Sequence, residues 1–350
     1  MTLPTLGVVV VTFNSADIIQ DCLESLLASR GVRLEIIVVD NASTDDTLAV
    51  LRDWASGQHP YTVPADMPFA LTPAPKPVTL LVAGTPTQIL QDHTITLITA
   101  KVNGGFAAGV NQGLAALAGR PQINRFWVLN PDSAVPPETA AAFATHGTGD
   151  FALMGGRVLY YDDPDTIQID GGTVNRRTGI TGNLNLFRTA SQTSRPDPAT
   201  MDFITGASMV ASRAFYEAAG PMPENYFLYY EEVDWAFRRG TRGLAYCPDA
   251  IVYHKAGTAI GSATMNRPAS AFSQYFKHRA RMLFMRRYFP THLPVALAYS
   301  FAKAAQLAMK GYRKEAKALL MASLNRPPPP EIRNVLSQEA ARLAFPALKR

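Results

Sequence analysis

The sequence predicts an α/β protein built on a doubly wound, mostly parallel sheet. Two apolar runs of buried-strand length, 6–14 and 34–43, are each followed by a segment with helical periodicity, 15–29 and 43–56. Valine and isoleucine dominate both runs, as in strands that are covered on both faces. Strand–helix units repeated on this scale favour a parallel sheet, which binds its ligands at the carboxyl ends of its strands.

Residues 57–93 interrupt this alternation. Seven prolines in the segment exclude a long helix; they are Pro60, Pro64, Pro68, Pro73, Pro75, Pro77 and Pro86. The apolar runs 78–83 and 94–100 predict a hairpin. We interpret 57–93 as a proline-rich surface insertion.

The alternation then resumes, and turn residues divide it into short elements. A glycine-rich turn feeds a helix over 101–117, and hairpins are expected over 151–190. Further strands are predicted at 94–100, within 125–138 and 201–220, and at 244–257, where the last strand ends at His254. Beyond residue 266 the pattern is largely helical.

Charge divides the chain in two. Residues 1–265 hold 17 basic and 25 acidic residues, whereas 266–350 hold 16 and 3. We therefore predict a sheet domain over 1–265 and a basic, helical region over 266–350 that meets an anionic partner. The first residues do not resemble a signal peptide, and two cysteines make no disulfide framework, so a cytoplasmic location is expected.

The segment 227–240, FLYYEEVDWAFRRG, places three acids among aromatic residues, namely Glu231, Glu232 and Asp234. As a helix it would bury an apolar stripe and leave the acids on the flanks. Acids in a first turn stabilise the helix dipole, and an Asp234–Arg238 pair is expected four residues apart. The segment alone fits a structural role as well as a chemical one.

Polar side chains also occur where predicted strands end. Asp40 closes the second strand, Asp132 follows the fourth, and His254 closes the last. Each alone is more commonly a cap or turn residue. Because parallel strands present their carboxyl ends at one edge, together they indicate a binding site.

The glycine-rich stretch NGGFAAGVNQG, residues 103–113, matches neither common phosphate-binding motif. The first strand lacks the glycines of a dinucleotide fold, and the stretch lacks the Gly-Lys-Ser/Thr of a P-loop. A tight turn and a close helix contact explain some of its glycines but not Asn103 and Asn111.

Seven motifs together resemble family 2 glycosyltransferases of the GT-A fold, specifically the bacterial rhamnosyltransferase-like members. They occur in the family's order over 6–56 and 94–260: VVVVTFN, IIVVDNASTDDT, NGGFAAGVNQG, WVLNPDS, DFITGASMV, FLYYEEVDWAFR and YCPDAIVYHKAG. The resemblance implies a sheet with a nucleotide-binding half and an acceptor half.

The resemblance also implies roles for individual residues. Asp132 takes the last position of the family's D-x-D motif, Asn130 replaces the first acid, and His254 matches a further metal ligand. Glu232 matches the general base, which is commonly Asp in the family. Donor contacts are expected from Thr12, Asn14, Asp40, Asn103, Gly105, Asn111 and Asn130. Acceptor contacts are expected from Gly206, Glu231, Asp234 and Trp235, with sugar rings against Tyr229, Tyr230 and Trp235.

The expected chemistry suits these residue types. A hard cation held by oxygens stabilises a departing diphosphate, so Mn²⁺ or Mg²⁺ is expected, and one imidazole tilts the choice towards Mn²⁺. A carboxylate must take the proton of the acceptor hydroxyl. One base without a covalent nucleophile indicates single displacement with inversion. The donor would be dTDP-rhamnose or a UDP-sugar, and the acceptor a glycan or a lipid-linked saccharide.

Three alternatives belong to other classes. A sugar nucleotidyltransferase shares the sheet but carries a glycine-rich basic loop after the first strand, which TFNSADI lacks. A non-catalytic nucleotide-sugar binding module would be expected to lose the base or a metal ligand. No recognition motif supports a nucleic-acid binder, so nucleic acid is not an expected partner.

The basic tail suggests a further partner. On a single helix over 301–324, apolar residues from Phe301 to Leu319 would gather opposite five basic residues, namely Lys303, Lys310, Arg313, Lys314 and Lys317. Such a helix either packs on the catalytic domain or lies on anionic lipid at the inner face of the cell membrane.

Overall fold

The computed structural model describes residues 3–82, 93–147, 150–255 and 269–345. In these ranges twelve strands occur, of which ten form one sheet and two form a separate hairpin. The strands are β1 (Thr5–Thr12), β2 (Arg33–Asp40), β3 (Leu80–Val82), β4 (His93–Thr99), β5 (Arg125–Leu129), β6 (Ser133–Ala134), β7 (Phe151–Tyr160), β8 (Ile167–Ile169), β9 (Gly172–Val174), β10 (Thr181–Asn183), β11 (Ser208–Ser212) and β12 (Gly243–His254).

Helices cover both faces of the sheet and make up the C-terminal region. They are α1 (Ile19–Leu27), α2 (Thr47–Ser56), α3 (Phe106–Ala118), α4 (Thr139–Thr145), α5 (Arg213–Ala219), α6 (Glu231–Phe237), α7 (Ala271–Tyr288), α8 (Leu293–Met309), α9 (Arg313–Ser323), α10 (Pro330–Arg333) and α11 (Gln338–Ala344).

The sheet has the order β3-β4-β2-β1-β5-β11-β7-β12-β6, and β8 pairs with β7. Neighbours from β3 to β5 are parallel, as are β7 and β12. β11 is antiparallel to both of its neighbours, and β6 is antiparallel to β12. The predicted mostly parallel sheet is confirmed, and β1, β2, β5 and β12 present their carboxyl ends on one side.

The glycines of the glycine-rich stretch let α3 pack closely on β1. A Cβ atom on Gly109 would lie 2.5 Å from Val11 Cγ1, and one on Gly113 would overlap Val9. Val9 and Val11 belong to the apolar core on this face of the sheet. Glycine is therefore required here by the helix–sheet contact, in agreement with the sequence prediction.

The predicted hairpin between 78–83 and 94–100 is wrong. Leu80–Val82 pairs with β4 in parallel, with Leu80 opposite Ile95, so β3 extends the parallel sheet at its edge. Residues 83–92 lie outside the described ranges. The rest of the insertion is anchored to α1, because Lys76 Nζ lies 2.5 Å from Glu24 Oε1 and the Tyr61 hydroxyl donates to Asp21 at 2.8 Å.

The C-terminal region is helical as expected, but the predicted single helix over 301–324 is wrong. Gly311 has φ +87° and separates α8 from α9. The two helices pack against each other through Ala304, Leu307, Ala316 and Leu319. Of the predicted apolar side, Ala316 and Leu319 are buried, whereas Phe301, Ala305 and Ala308 are exposed.

Among the described residues, no helix is both long enough and apolar enough to cross a bilayer.

Candidate active site

The loops after β1 and β2 form one edge of the site, but two predicted donor contacts there are buried. The Thr12 hydroxyl donates to Asp40 Oδ1 at 3.2 Å, and the Ser43 N–H donates to Asp40 Oδ2 at 3.2 Å. Thr12 and Asp40 are 0% and 1% exposed, so these side chains support the loops and, contrary to prediction, offer no open surface. Asn14 is exposed beside them, and its Oδ1 accepts from the Thr44 N–H at 2.8 Å.

Asn41 connects this edge to the glycine-rich turn and was missed in the sequence. Its Nδ2 donates to Asn103 Oδ1 at 3.1 Å and to Gly105 O at 2.9 Å. Its Oδ1 accepts from the Gly104 N–H at 3.3 Å. Asn103 and Gly105 are thus brought together, as predicted for one loop. The available signal was a second polar residue directly after Asp40 at the end of a parallel strand.

Asn111 is a structural brace and does not face a donor, which corrects its predicted role. Its Nδ2 donates to Met222 O at 2.9 Å and to Glu224 Oε1 at 2.8 Å, and its Oδ1 accepts from the Met222 N–H at 2.9 Å. Both ends of the amide are therefore used to fix the segment before α6 to α3.

Asp132 and His254 meet where β5 and β12 end. Asp132 Oδ1 lies 3.0 Å from His254 Nε2, and Asn130 Nδ2 lies 3.2 Å from the same nitrogen. The Asp132 and His254 side chains are 8% and 9% exposed. The structure therefore brings together the three residues that were predicted around the metal.

The side chains of Asp132 and His254 are of types that bind a divalent cation. His254 Nδ1 lies 2.7 Å from Gln168 Oε1, so Gln168, a residue missed in the sequence, orients the imidazole. Nε2 lies 3.0 Å from Asp132 Oδ1 and 3.2 Å from Asn130 Nδ2. A carboxylate oxygen and an imidazole nitrogen at this spacing are both ligand types for a divalent cation.

Two protein ligands are too few for a closed site. Within the described ranges, no three His, Cys, Asp or Glu side chains form a metal-binding group. Mg²⁺ and related hard cations are commonly held by one or two carboxylates together with substrate phosphates. Asp132 and His254 therefore fit a cation that is shared with a bound diphosphate.

Glu232 lies half-buried on α6, beside the loop that leads to β11. A Cβ atom on Gly206 would lie 3.9 Å from Glu232 Cβ and 3.3 Å from Phe106 Cε1. The next residue, Ala207, accepts the Asn130 N–H at 3.0 Å through its carbonyl oxygen. Gly206 and Ala207 thus join the Glu232 side of the site to the Asn130 side, and Gly206 packs closely against Phe106 and Glu232.

The two neighbouring glutamates differ in environment. Burial raises the pKa of Glu232 to about 7, against opposing backbone hydrogen bonds and the charge of Lys277. Burial, followed by the charge of Glu232, raises the pKa of Glu231 well above its ordinary value. Glu231 was predicted to contact an acceptor, but its side chain is buried, with only 3% of the residue exposed. Burial thus favours the protonated form of Glu231, whereas Glu232, with a pKa near neutral pH, can exchange a proton.

Lys277 brings α7 into the site and was not predicted. Its side chain is exposed on α7, yet the surrounding protein displaces enough water to lower its pKa, an effect that the Glu232 charge opposes. Only the fold shows this proximity, because 45 residues separate Lys277 from Glu232 along the chain.

Asp234 and Trp235 hold α6 in place and do not face an acceptor, which corrects two predictions. Asp234 is fully buried, accepts from the Tyr226 hydroxyl at 2.8 Å, and pairs with Arg238 Nε at 2.7 Å as expected. Trp235 is also fully buried and donates to Gly220 O at 2.9 Å. Tyr230 is 3% exposed and donates to Gly179 O at 2.6 Å, so neither ring can stack on a sugar.

Comparison with known proteins finds similar glycosyltransferases. Residues 7–63 match the family model described as glycosyl transferase family 2. The N-acetylglucosaminyl-diphospho-decaprenol L-rhamnosyltransferase of Mycobacterium tuberculosis is 26% identical over 239 residues, covering 60% of this chain and 75% of that protein. The low-salt glycan biosynthesis hexosyltransferase Agl10 of Haloferax volcanii is 22% identical over 286 residues, covering 80% and 75%.

Solved structures share the fold. The mannosyltransferase PcManGT from Pyrobaculum calidifontis, in complex with GDP-Man and Mn²⁺, superposes with a TM-score of 0.51 at 16% identity, covering 93% of this chain and 87% of that one. GalNAc-T7 with UDP, GalNAc and Mn²⁺ gives a TM-score of 0.52 at 11% identity, covering 92% and 56%. The predicted GT-A fold is confirmed. Through the match of residues 7–63 and its rhamnosyltransferase and hexosyltransferase relatives, the chain is similar to family 2 glycosyltransferases.

Proposed function

We propose that this glycosyltransferase moves a sugar from a nucleoside-diphosphate donor to a saccharide hydroxyl with inversion at the anomeric carbon. The proposal depends on two features found in one site. Glu232 is a half-buried carboxylate with a pKa of about 7, and Asp132 and His254 are two adjacent side chains that suit a divalent cation. Gly206 lies beside Glu232, and the next residue, Ala207, accepts the Asn130 N–H, so a two-residue segment links Glu232 to the neighbour of the Asp132–His254 pair.

Asp132 Oδ1 and His254 Nε2 would hold a divalent cation against the donor diphosphate, with Mn²⁺ favoured over Mg²⁺ by the imidazole. When bound, such a cation stabilises the charge that develops on the leaving diphosphate. Gln168 orients the imidazole through its contact with Nδ1. Asn130, which occupies the position of the first acid of the D-x-D motif, contacts the same imidazole through its Nδ2 and helps to position it.

Glu232 is the proposed base. As the acceptor oxygen forms its bond to the anomeric carbon and the bond to the diphosphate breaks, the hydroxyl proton passes to the Glu232 carboxylate. A base of pKa about 7 combines adequate ionisation at neutral pH with a strong drive to take the proton. Gly206 packs against Phe106 beside Glu232, where an added Cβ atom would lie 3.3 Å from Phe106 Cε1.

Relatives indicate the classes of donor and acceptor. The mycobacterial relative is a rhamnosyltransferase named for a diphosphate-linked polyprenyl saccharide, which favours a rhamnose donor and a lipid-linked acceptor. PcManGT is bound to GDP-Man and Mn²⁺, which supports a nucleotide-sugar donor with a metal. We therefore propose dTDP-rhamnose or a UDP-sugar as donor and a glycan or lipid-linked saccharide as acceptor.

A panel of nucleotide sugars tests this function. One class of nucleotide sugar should raise the melting temperature of the chain in the presence of Mn²⁺. The same donor should give a glycoside, and NMR should show that its anomeric configuration is inverted relative to the donor. Matched samples with free nucleotide and with EDTA are the controls. Failure of every nucleotide sugar to bind would contradict the donor assignment, and retention of configuration would contradict single displacement.

A further inference from the structure

The exposed side of α8 is an unbroken apolar surface. Eight exposed residues fall within an arc of roughly 140° when each residue advances by 100°. We call them the α8 stripe; they are Pro294, Val295, Ala298, Phe301, Ala302, Ala305, Ala308 and Met309. Phe301 is 50% and Met309 82% exposed, although large apolar side chains usually find cover.

The opposite side of α8 holds the helix to the protein. Ala296, Ala304 and Leu307 are buried, and the Arg281 guanidinium of α7 hydrogen bonds to Ser300 Oγ and to Ala296 O. α7 is also the helix that carries Lys277 to the active site. The stripe is therefore displayed by a fixed helix, one helix away from the catalytic residues.

Basic residues stand at both ends of the stripe. In the last turn of α7, Arg286 is exposed and the half-exposed Arg287 pairs with Asp234. After α8, Lys310, Arg313, Lys314 and Lys317 are exposed around the half-buried Glu315. No acidic residue occurs between 269 and 314. An apolar helix face with basic ends fits an anionic lipid surface, where lysine and arginine reach the headgroups while the apolar face enters the acyl boundary.

A second copy of the chain is a poorer occupant. In a two-fold contact the same surface meets itself, so an antiparallel pair of stripes would bring the Lys310–Lys317 end of one copy to the Arg286–Arg287 end of the other. Both ends are positive, and the stripe has no acid to offset them. Charge complementarity therefore favours lipid.

We propose that α8 lies in the plane of an anionic membrane surface, with its stripe in the lipid and the flanking basic residues on the headgroups. This interaction does not depend on the donor or metal assignments. It places Glu232 of α6 and Lys277 of α7 near a bilayer, where a lipid-linked acceptor would be found.

Co-sedimentation of the full chain with vesicles tests the proposal. Vesicles of phosphatidylcholine containing phosphatidylglycerol should bind the chain at low salt, with affinity falling as salt rises, and pure phosphatidylcholine should bind at least tenfold less. The double variant Phe301→Glu/Met309→Glu should lose at least tenfold in binding to the anionic vesicles.

The matched control is Val335→Glu/Leu343→Glu, which adds the same charge at two other exposed apolar residues of the C-terminal region, 65% and 57% exposed. It should bind as the wild type does, and circular dichroism should show both variants folded. Equal loss in the two variants, equal binding to neutral vesicles, or a dimer in solution that Phe301→Glu dissolves would each overturn the proposal.

Discussion

Gly105 lies directly against the carbonyl group of Phe227. A Cβ atom on Gly105 would overlap the Phe227 oxygen and lie 2.9 Å from its Cα, and the Phe106 N–H donates to that oxygen at 3.0 Å. Phe227, Tyr229 and Tyr230 have φ of +68°, +67° and +69°, so the segment that leads into α6 is strained. The glycine-rich turn thus fixes the entry to the catalytic helix.

Gly105→Ala should therefore damage both stability and activity. Its φ of +87° disfavours any side chain, and the added methyl group would displace the Phe227 carbonyl. We expect a loss of about 2 kcal/mol or more in the free energy of unfolding, measured by urea denaturation, with reduced transfer. Gly119→Ala is the control, because Gly119 has φ −66° and 3.6 Å to its nearest neighbour; a similar loss there would contradict the explanation.

The adjacent glutamates give a matched pair for the base. Glu232→Gln removes the proposed proton acceptor and should lower the transfer rate at least ~10²-fold, while donor affinity stays near normal. Glu231→Gln changes a side chain that is only 3% exposed and does not face the acceptor, so its rate should change little. Steady-state kinetics with donor-binding titrations compare the two, and the reverse ranking would move the base to Glu231.

The pH dependence of transfer should report Glu232. Because its pKa is about 7 and the base acts when deprotonated, kcat/KM should rise with pH through about 7 and then level off. Lys277 lowers this pKa, so Lys277→Met should move the rising limb to higher pH. Lys303→Met, a change farther along the same basic region, serves as the control. An unmoved limb in Lys277→Met would exclude Lys277 as a neighbour that tunes the base.

The sequence predicted the sheet well because its strands are covered on both faces. β1 and β2 are almost entirely buried, and a continuous apolar run is the direct trace of such burial. The parallel pairing of β3 with β4 was missed because two strands close in sequence usually form a hairpin. The direction of β3 relative to β4 depends on the path of the chain that connects them. Gly311 is a sequence signal for the break between α8 and α9. The helical spacing of apolar residues on both sides of it nevertheless favoured one continuous helix in the prediction.

The sequence predicted which polar residues converge at the strand ends but misjudged which side chains of α6 are buried. Asp132, His254 and Asn130 converge because parallel strands deliver their ends to one edge. On α6, the core surrounds most of the helix, so Trp235 and Asp234 point into protein although a helical wheel placed them on flanks. The partners that bury them, Phe215 and Tyr288, are distant in sequence and leave no local signal.

Asp234 should prove structural when its charge is removed. Its oxygens accept from two tyrosine hydroxyls and pair with Arg238 and Arg287, so Asp234→Asn leaves two guanidinium groups without their counter-charge. Since Arg287 is half exposed and can be rehydrated, we expect a loss of about 2 kcal/mol in the free energy of unfolding.

The control for this change is Asp150→Asn, whose pair with Arg242 is exposed; it should lie within about 0.5 kcal/mol of the wild type by the same denaturation curves. Donor affinity of folded Asp234→Asn, measured below its melting temperature, should stay close to normal. Selective loss of acceptor binding with unchanged stability would instead return Asp234 to the acceptor site.

Asp132 is expected to carry most of the metal-dependent donor affinity. It supplies the negative charge of the Asp132–His254 pair, whereas the imidazole is a neutral ligand. Asp132→Asn keeps the shape of the side chain but removes that charge. Calorimetric titration with a nucleoside diphosphate in Mn²⁺ should show a loss of roughly tenfold or more, and His254→Gln should show a smaller one. The same titrations in EDTA isolate the metal-free contacts, which should be equal in wild type and both variants. If Mn²⁺ does not strengthen binding to the wild type, or if Asp132→Asn retains the full Mn²⁺ effect, the cation does not lie between Asp132 and His254.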